Sequence, residues 1–319
     1  MTGHQLGHRL SCLFYIFVIS LGITACGDTT THSTTSTTTK PDQTAEIIAV
    51  NAPLQYFTQQ LAGELAEVSM IAPTEGDPAE WQPTIDEALR LQKAELLILN
   101  GAGYSKWLDK VAISPAKLIN SSQGFSQDYI ELSNQSTHSH GPTAEHSHGA
   151  LAFTTWMDMS QAIQQAQVIS QALEKRWPEE MPNIRQREAQ LIAELSSLDQ
   201  AYQQQAKRLA GKTLIYSHPV YQYFERQYNL PGHSLHWEPD QMPDEKQWHT
   251  LERLVTQTDN TLFIWEDDPQ ANIVNKMLAL NLNFVVIRPA SNLSDKDWLA
   301  EQQANIQRMK DCCQQQDKQ

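Results

Sequence analysis

The fold is decided by residues 182–209, PNIRQREAQLIAELSSLDQAYQQQAKRL. After its first residue this stretch contains neither Gly nor Pro, and it is rich in Gln, Glu, Ala, Arg and Leu. Its apolar side chains recur at spacings of three, four and seven residues, at Ile184, Leu191, Leu195, Leu198 and Tyr202. The stretch therefore predicts one long, rigid helix that joins two parts of the chain and limits how far they can hinge.

Short apolar runs alternate with helical patterns on both sides of this helix. Their apolar character is typical of buried parallel strands, and they cover residues 47–50, 68–71, 96–99, 117–120, 213–216, 234–237, 261–265 and 284–287. Between the early runs, residues 54–66 and 85–93 show the spacing of the helices in β-α-β units. The predicted fold class is α/β, with two Rossmann-like lobes that contain parallel sheets and are joined by the long backbone helix.

The same alternation gives the expected regions of the folded chain. We expect an N-terminal α/β lobe over residues 45–180, a linking helix over 181–210 and a C-terminal α/β lobe over 211–319. Ligands of open parallel sheets bind beyond the carboxyl ends of the strands. A cleft lined with acids and a histidine is therefore expected at the residues that follow the runs, which are Asn51, Glu80, Asn100, Gly101, His218, Glu238 and residues 266–268.

The N-terminus predicts export. His4, His8 and Arg9 precede a largely apolar run over residues 10–25, which is shorter than the about 20 residues of a membrane span. The run ends in Ile-Thr-Ala before Cys26, a sequence that resembles a bacterial lipobox. The resemblance implies cleavage before Cys26 and acylation of this cysteine, so that lipid anchors the protein at the periplasmic or cell-envelope face of a membrane. The alternative is that Cys26 is a buried or free cysteine.

The signal peptide, residues 1–25, is followed by a stretch with almost no apolar side chains. Residues 26–44 are mostly Thr and Ser, with some Asp and Lys, and cannot bury enough surface to offset chain entropy. We expect a flexible tether there. The formal net charge of the chain, −14, argues against a nucleic-acid partner, because phosphate binding requires clustered Lys and Arg.

A His-rich segment, residues 137–148, contains four of the eleven histidines of the chain in the sequence THSHGPTAEHSH. Neutral imidazole is a good ligand of zinc, copper and nickel. Paired His-x-His units separated by Gly-Pro predict a mobile loop rather than a helix face. We expect His148 first and His140 second to reach the cleft, with His138 and His146 as further candidate ligands. The alternative is a solvated loop that binds nothing at physiological metal levels.

Two further candidates stand at the ends of predicted strands in the second lobe. His218 follows the run 213–216 and is followed by Pro219, so its side chain is either a ligand or a core or capping residue. Glu266 ends the run 261–265, with two aspartates behind it. An acid there is either a carboxylate ligand or the N-terminal cap of a helix that begins near residue 270, and different acids can fill the two roles.

Five blocks in this order resemble the zinc and manganese solute-binding proteins of bacterial ABC importers, the zinc-uptake periplasmic binding protein family. They are DPAEWQP at 77–83, LILNGAGYSKWL at 97–108, the His-rich segment, SHPVYQYF at 217–224 and FIWE at 263–266. The resemblance covers most of the chain from residue 45 onward. It implies two α/β lobes joined by a long helix, a metal in the cleft between them, and delivery of that metal to a permease and its ATPase.

The chain departs from this family at two ligand positions. The family usually places a histidine directly after the first Asp-Pro and another two residues before the tryptophan of its Pro-His-x-Trp block, where this chain has Ala79 and Thr154. Only His218 and an acid near Glu266 carry over by position. Zinc needs about three or four ligands, so the resemblance leaves the site incomplete.

The missing donors are expected from neighbouring residues. Glu80, one residue from Ala79, and the histidines just upstream of Phe153 are the nearest replacements. Alternatively, the metal arrives with a chelator, or the site is weaker and more open. Zinc is the expected metal, and manganese or another divalent transition metal is the alternative.

The sequence predicts a binding protein rather than an enzyme. It contains no His-Glu-x-x-His motif and no glycine-rich phosphate loop. We expect a lipid-anchored monomer that captures a divalent transition metal for an ABC importer. The alternatives are a periplasmic metal buffer or chaperone without a dedicated importer, and a metallohydrolase whose open zinc site activates water.

Overall fold

The computed structural model describes residues 45–73, 76–132, 137–139, 145–147, 151–256, 260–293 and 297–316. The predicted signal peptide, Cys26 and the predicted tether lie outside the described residues. Within the described part of the chain, none of the helices combines the length and the apolar character that are needed to cross a membrane.

The first lobe is built on a parallel sheet of four strands. The strands are β1 (Ala45–Ala49), β2 (Ala66–Met70), β3 (Leu96–Leu99) and β4 (Leu118–Asn120), in the spatial order β2-β1-β3-β4. All four residues of β3 are buried, as expected for a strand near the middle of a parallel sheet. The strands predicted in this half of the chain are confirmed to within two residues at either end.

Two short helices of this lobe begin with side-chain caps. Helix α1 (Ala52–Ala62) starts after Asn51, whose side chain accepts a hydrogen bond from the Leu54 N–H at 3.1 Å. The predicted helix over 54–66 is wrong at its end, because Gly63 has φ +57° and terminates α1 before β2 begins. Helix α2 (Ile85–Lys93) matches its prediction and opens with a capping box.

A β-hairpin lies inside the His-rich segment, where the sequence predicts a loop. Strands β5 (Thr137–Ser139) and β6 (Glu145–Ser147) pair antiparallel, and His138 lies opposite His146. The sequence between the two strands contains Gly141 and Pro142, residue types that favour turns. Two segments on either side of a turn can pair as a hairpin. Because these six residues do pair, the loop prediction is wrong for them.

Four contacts join the two ends of the insert, which is the stretch between Glu131 and Leu151 that carries the hairpin. Glu131 and Leu151 form an isolated antiparallel bridge, and the Ala152 N–H donates to the Ile130 carbonyl at 2.8 Å. The Tyr223 hydroxyl, from the second lobe, accepts from the Ile130 N–H at 3.2 Å and donates to the Ala152 carbonyl at 3.1 Å. Both ends of the insert are thus held at one place.

Two long helices follow, α3 (Met159–Arg176) and α4 (Met181–Leu209). Asp158 caps α3 by accepting hydrogen bonds from two backbone N–H groups of its first turn. The predicted long helix is confirmed as α4, and the apolar side chains that predicted it are buried, namely Ile184, Leu191, Leu195, Leu198 and Tyr202.

The second lobe repeats the architecture of the first with another parallel sheet. Its strands are β7 (Thr213–Tyr216), β8 (Gly232–Ser234), β9 (Thr261–Trp265) and β10 (Asn283–Val286), in the order β10-β9-β7-β8. Its helices are α5 (Gln222–Tyr228), α6 (Glu245–Thr256), α7 (Ala271–Ala279) and α8 (Trp298–Gln316). The predicted α/β fold with two parallel-sheet lobes and a connecting helix is therefore confirmed.

Strand β8 begins two residues and ends three residues before its prediction, which covered 234–237. It begins at Gly232, where a Cβ atom would stand 2.6 Å from a ring carbon of Tyr216 and 2.7 Å from the Leu214 carbonyl oxygen. Only glycine fits this close approach of the backbone to β7. The next residues still follow the end of β7, since the Leu235 N–H donates to the Tyr216 carbonyl at 2.8 Å.

Helix α4 contacts both lobes. On the first lobe, the Arg187 side chain donates to the Leu61 carbonyl at 2.6 Å. On the second, the Tyr202 hydroxyl donates to the Gln302 side chain of α8 at 2.7 Å. The backbone helix is thus fixed to each lobe by a side-chain hydrogen bond as well as by its apolar face.

Candidate metal centre

His218 lies directly beyond the carboxyl end of β7 and is 9% exposed. The preceding residue, Ser217, joins this strand end to the end of β9. Its N–H donates to the Ile264 carbonyl at 2.8 Å, and its hydroxyl accepts from the Glu266 N–H at 3.2 Å. The parallel strands therefore bring the two predicted second-lobe candidates, His218 and Glu266, side by side.

The imidazole of His218 stands between two carboxylates. Its Nδ1 lies 3.6 Å from Glu266 Oε2, and its Nε2 lies 3.7 Å from Glu238 Oε1. Burial acts to lower the pKa of His218, but Glu266, Glu238 and Asp77 outweigh it and raise the pKa above its ordinary value. A cation at this position, whether a proton or a metal ion, is stabilised by the surrounding acids.

The segment after β8 supplies Glu238 and a second imidazole, that of His236. The Trp237 N–H donates to the Ser217 carbonyl at 2.8 Å, and the Trp237 ring is buried in the core of the second lobe. The residues on either side of Trp237 line the cleft instead. The rings of His218 and His236 are 5.9 Å apart between centroids, at an interplanar angle of 83°.

The first lobe faces this site with Asp77. This carboxylate accepts a hydrogen bond from the Ala79 N–H at 2.9 Å within a turn and lines the cleft. Burial raises the pKa of Asp77, and the negative charges of Glu80 and Glu266 raise it further. The Ala79 hydrogen bond and His218 lower this pKa, but the net effect is an increase. Asp77 therefore interacts electrostatically with both second-lobe candidates from the opposite lobe.

The predicted replacement ligand Glu80 also lines the cleft, and it forms an ion pair with Lys106 at 2.8 Å. Of the two positions without the expected histidine, Ala79 is 1% exposed and Thr154 is 3% exposed. The Thr154 hydroxyl donates to the Val220 carbonyl in the second lobe at 2.6 Å. Thr154 thus joins the lobes at a position where the family resemblance implies a ligand.

The aspartates behind Glu266 do not cap a helix. Helix α7 begins after Gln270, whose side chain makes no capping hydrogen bond. Asp267 and Asp268 instead accept hydrogen bonds from Arg288, each at 2.6 Å. The capping alternative is therefore wrong for these two residues, because a charged partner from the end of β10 binds both.

The histidines of the His-rich segment remain candidates. His138 and His146 belong to the strands β5 and β6, where their backbones are paired. His140 and His148 lie outside the described residues, so the expectation that one of them reaches the cleft stays a prediction.

The cleft between the lobes encloses about 990 Å³, at the upper end of the sizes of small-molecule sites. It is lined by both lobes and contains the described acids and imidazoles of the candidate centre. Among the residues that the structure describes, no three His, Cys, Asp or Glu side chains already converge on the position of one ion. The described donors of the candidate centre thus stand near one another without surrounding one ion position.

Sequence reasoning missed two members of this group, Asp77 and His236, and treated Glu238 only as a cleft residue. The pattern His-Trp-Glu at 236–238 carried a usable signal, since a buried tryptophan in an extended segment directs both neighbours to the opposite side. Asp77 was visible only as part of the block at 77–83. Nothing in the sequence alone indicates that it faces His218.

A family model matches residues 47–312 of the chain, and its description reads zinc-uptake complex component A periplasmic (ZnuA). The high-affinity zinc uptake system protein ZnuA of Bacillus subtilis is 24% identical over 226 residues, which cover 70% of this chain and 69% of that protein. The manganese ABC transporter substrate-binding lipoprotein PsaA of Streptococcus pneumoniae is 24% identical over 242 residues, 72% of each chain. These relatives are uptake components rather than enzymes.

The zinc-binding lipoprotein AdcA of Streptococcus pneumoniae is 22% identical over 267 residues, or 81% of this chain. The chain spans about half, 52%, of the length of that relative. The crystal structure of the Zn(II)-bound ZnuA-like domain of AdcA superposes with a TM-score of 0.72 and 19% identity, over 85% of this chain and 99% of that domain. The two proteins share the fold.

Proposed function

The chain belongs to the zinc-uptake complex component A family, and on that premise we propose that it is an exported, lipid-anchored solute-binding protein that captures a divalent transition metal for an ABC importer. Zinc is the proposed metal, and manganese or another divalent transition metal is the alternative. The observation that carries the proposal is the position of His218 between Glu238 and Glu266, at the carboxyl ends of parallel strands.

The chemistry of the cleft suits a divalent cation. Imidazole nitrogen and carboxylate oxygen are both zinc donors, whereas manganese prefers oxygen. His218 has a carboxylate on each side, and Asp77 and Glu80 add negative charge from the opposite lobe. The acids that line the cleft outnumber its bases, and such an excess of one charge sign raises the local concentration of the opposite ion. The acids therefore attract the cation, and the imidazoles favour zinc among the cations that enter.

The proposed route to the membrane starts at the N-terminus. Cleavage after the signal peptide, residues 1–25, leaves Cys26 to carry the lipid, and residues 26–44 tether the lobes to it. The folded part, with limits proposed at 45–180, 181–210 and 211–319, then acts as a monomer that delivers its metal to a permease and its ATPase. The lipobox-like end of the apolar run supports the anchor.

Calorimetric titration of zinc into the purified protein tests the binding site. The His218→Ala variant is expected to lose affinity by about 100-fold or more, since loss of even an outer-shell partner of a ligand costs about 10–100-fold. His249→Ala is the matched control, because His249 lies exposed on α6 and outside the cleft. Wild-type affinity in His218→Ala would show that this histidine does not bind the metal.

A separate experiment tests the anchor. Cys26→Ser is expected to abolish incorporation of labelled fatty acid and to release the protein from the membrane fraction. Cys12→Ser, inside the proposed signal peptide, is the control and is expected to leave both unchanged. Labelling that persists in Cys26→Ser contradicts the proposed lipidation site.

A further inference from the structure

We propose that the captured metal is held by the second lobe alone, through His218, His236 and Glu238, and that Glu266 is a positioning residue for His218. This inference rests on the function proposed above and assigns the side chains that perform it. It departs from the ligand positions that the family resemblance implies, because it draws two of its three donors from the segment after β8.

The order of the strands places these residues on two sides of one imidazole. Strand β7 lies between β9 and β8, so His218 has Glu266 on its β9 side and both His236 and Glu238 on its β8 side. A neutral imidazole has one nitrogen free to bind a metal, while its other nitrogen carries a proton. The metal therefore occupies one side, and the carboxylate on the other side accepts the N–H.

The available donors favour the β8 side. On the β9 side, Glu266 supplies one carboxylate and Asp77 of the first lobe can add a second, which makes one nitrogen and two carboxylates with His218. On the β8 side, His236 adds a second imidazole to Glu238. Zinc sites in proteins are rich in nitrogen and sulfur ligands, so the β8 side is the better zinc site.

The other side has the features of a supporting partner. Histidines that bind metals almost always donate their second N–H to a carboxylate, a carbonyl or water, which fixes the tautomer and the orientation of the ring. Glu266 Oε2 lies 3.6 Å from Nδ1 of His218, and the Glu266 backbone is fixed by the Ser217 hydroxyl. With its Nδ1 proton accepted by Glu266, His218 would present Nε2 to a metal on the side of Glu238.

The distances on the β8 side are close to those of a tetrahedral zinc site. With ligand bonds of about 2.0–2.1 Å, two donor atoms stand about 3.4 Å apart and two ligating imidazole rings about 5 Å apart. The observed separations are 3.7 Å between His218 Nε2 and Glu238 Oε1 and 5.9 Å between the rings of His218 and His236. By these two separations, Glu238 and the His236 ring each need to approach His218 by less than about 1 Å.

The backbone can hold this geometry while the side chains close on the metal. The His236 carbonyl accepts from the Gln247 side chain at 3.2 Å, and the next residue, Trp237, is buried. The His236 ring is partly exposed in the cleft and can rotate about its side-chain torsions. Capture then requires rotation of His236 and Glu238, without closure of the lobes.

Three protein ligands would leave the fourth position of a tetrahedral site open. Sites of this open type bind water or an incoming donor there, whereas structural zinc sites are closed by four protein ligands. An ion in the proposed site is therefore exposed on the side where a permease ligand can take it. This arrangement suits a protein that must release its metal.

The inference is tested by zinc titration of the full chain against a competing chelator, and by zinc X-ray absorption at one ion per chain. The wild-type protein is expected to show two imidazole ligands. His236→Gln is expected to show one and to bind zinc about 100-fold or more weakly, and Glu238→Gln is expected to weaken binding to a similar degree. His233→Gln is the matched control, because His233 lies exposed in β8 and does not line the cleft.

Replacement of Glu266, the proposed positioning residue, is expected to change zinc affinity without changing the set of metal ligands. Glu266→Gln is expected to weaken binding by about 10–100-fold while the spectrum keeps two imidazoles and its bond lengths, since the direct ligands are all present. Loss of an oxygen ligand from the spectrum of Glu266→Gln would show that Glu266 binds the metal directly and would overturn its assigned role.

The outcomes separate this inference from the proposed function. Wild-type affinity in both His236→Gln and Glu238→Gln, with affinity lost in His218→Ala, overturns the β8-side site and leaves the binding function intact. Wild-type affinity in all three variants overturns both. Thermal unfolding of the apo His236→Gln and Glu238→Gln variants is compared with that of the apo wild type. Because His236 and Glu238 lie at the cleft surface, the melting temperatures of these variants are expected to agree with that of the wild type within about 2 °C.

Discussion

The Thr154 hydroxyl donates a hydrogen bond of 2.6 Å to the carbonyl of Val220 across the boundary between the lobes. A second contact of this kind runs from the Trp156 indole to the Pro289 carbonyl at 2.8 Å. Since both acceptors are backbone atoms of the second lobe, the lobes are joined independently of the cleft acids. This position therefore stabilises the arrangement of the lobes rather than providing a metal ligand.

Replacing Thr154 by Val keeps the shape of the side chain and removes this bond. We expect the free energy of unfolding to fall by about 1–3 kcal/mol, because the Val220 carbonyl loses its partner in a part-buried place. Thr250→Val is the control, since Thr250 makes a similar hydrogen bond to the Lys246 carbonyl on an exposed helix. Denaturant unfolding measures both, and equal losses would contradict a special role for Thr154.

Arg288 contributes to stability through three carboxylates. It binds Asp267 and Asp268 at 2.6 Å and the nearly buried Glu301 at 3.1 Å, and Glu301 also binds Arg308. We expect Arg288→Met to lower the free energy of unfolding by about 1–3 kcal/mol, less than for a wholly unpaired buried acid, because Arg308 remains. Arg185→Met removes an exposed ion pair with Glu174 and is expected to lower stability by less than Arg288→Met does, because solvent screens that pair. Denaturant titration distinguishes the two, and a smaller effect at Arg288 would refute the argument.

Glu225 makes stability depend on pH. Burial raises the pKa of Glu225 to about 7 in the folded protein, although a hydrogen bond from the Gly232 N–H opposes the shift. A raised pKa means that the folded chain holds a proton that the unfolded chain has already lost. The contribution of Glu225 to stability is therefore most favourable below pH 4.5 and falls as the pH rises from about 4.5 to about 7.

Glu225→Gln removes this titration while its amide oxygen can still accept from Gly232. At pH 8 we expect the variant to be more stable than the wild type by about 1–2 kcal/mol, a value reduced for the partial exposure of Glu225. At pH 4.5 we expect the two proteins to be about equally stable. The exposed Glu64→Gln variant is the control and is expected to change stability by no more than about 0.5 kcal/mol at either pH. A gain for Glu225→Gln that is the same at both pH values would exclude the titration as its cause.

Gly232 permits the close pairing of β8 with β7. We expect Gly232→Ala to lower the free energy of unfolding by about 1–3 kcal/mol, since its Cβ would overlap the Tyr216 ring and the Leu214 carbonyl. Gly124→Ala is the control, because nothing stands within 4 Å of the added methyl group. Thermal unfolding compares the two, and an unchanged Gly232→Ala protein would show that the strands can separate at no cost.

The elements of the fold could be predicted because their signals are local. The long helix α4 follows from helix-forming composition and apolar spacing over 28 residues, and the strand β3 follows from four consecutive apolar side chains. The end of α1 was misplaced because apolar spacing continues past Gly63, where the backbone turns into the left-handed region. The apolar spacing predicted a helix that continues past Gly63, whereas in the structure the backbone of Gly63 ends the helix.

The candidate site was only partly predictable because it depends on which strands are neighbours. His218 and Glu266 were found as residues at strand ends, but the place of Glu238 beside Nε2 follows from the order β9-β7-β8. The spacing of apolar residues gives no information about the spatial order of the strands. The partner of Asp267 and Asp268 was missed for the same reason, since Arg288 lies 21 and 20 residues further along the chain and meets them through the pairing of β10 with β9.

The tyrosine at position 223 fastens both ends of the stretch that carries the hairpin, by accepting from Ile130 and donating to Ala152. The cost of closing a connection depends on the distance between its ends and only slowly on its length. With those ends fixed by the second lobe, segments of other lengths and compositions can replace this one at little cost to the rest of the molecule. The fold thus provides a graft point beside the cleft, where histidine content can change in evolution or by engineering while the lobes stay as they are.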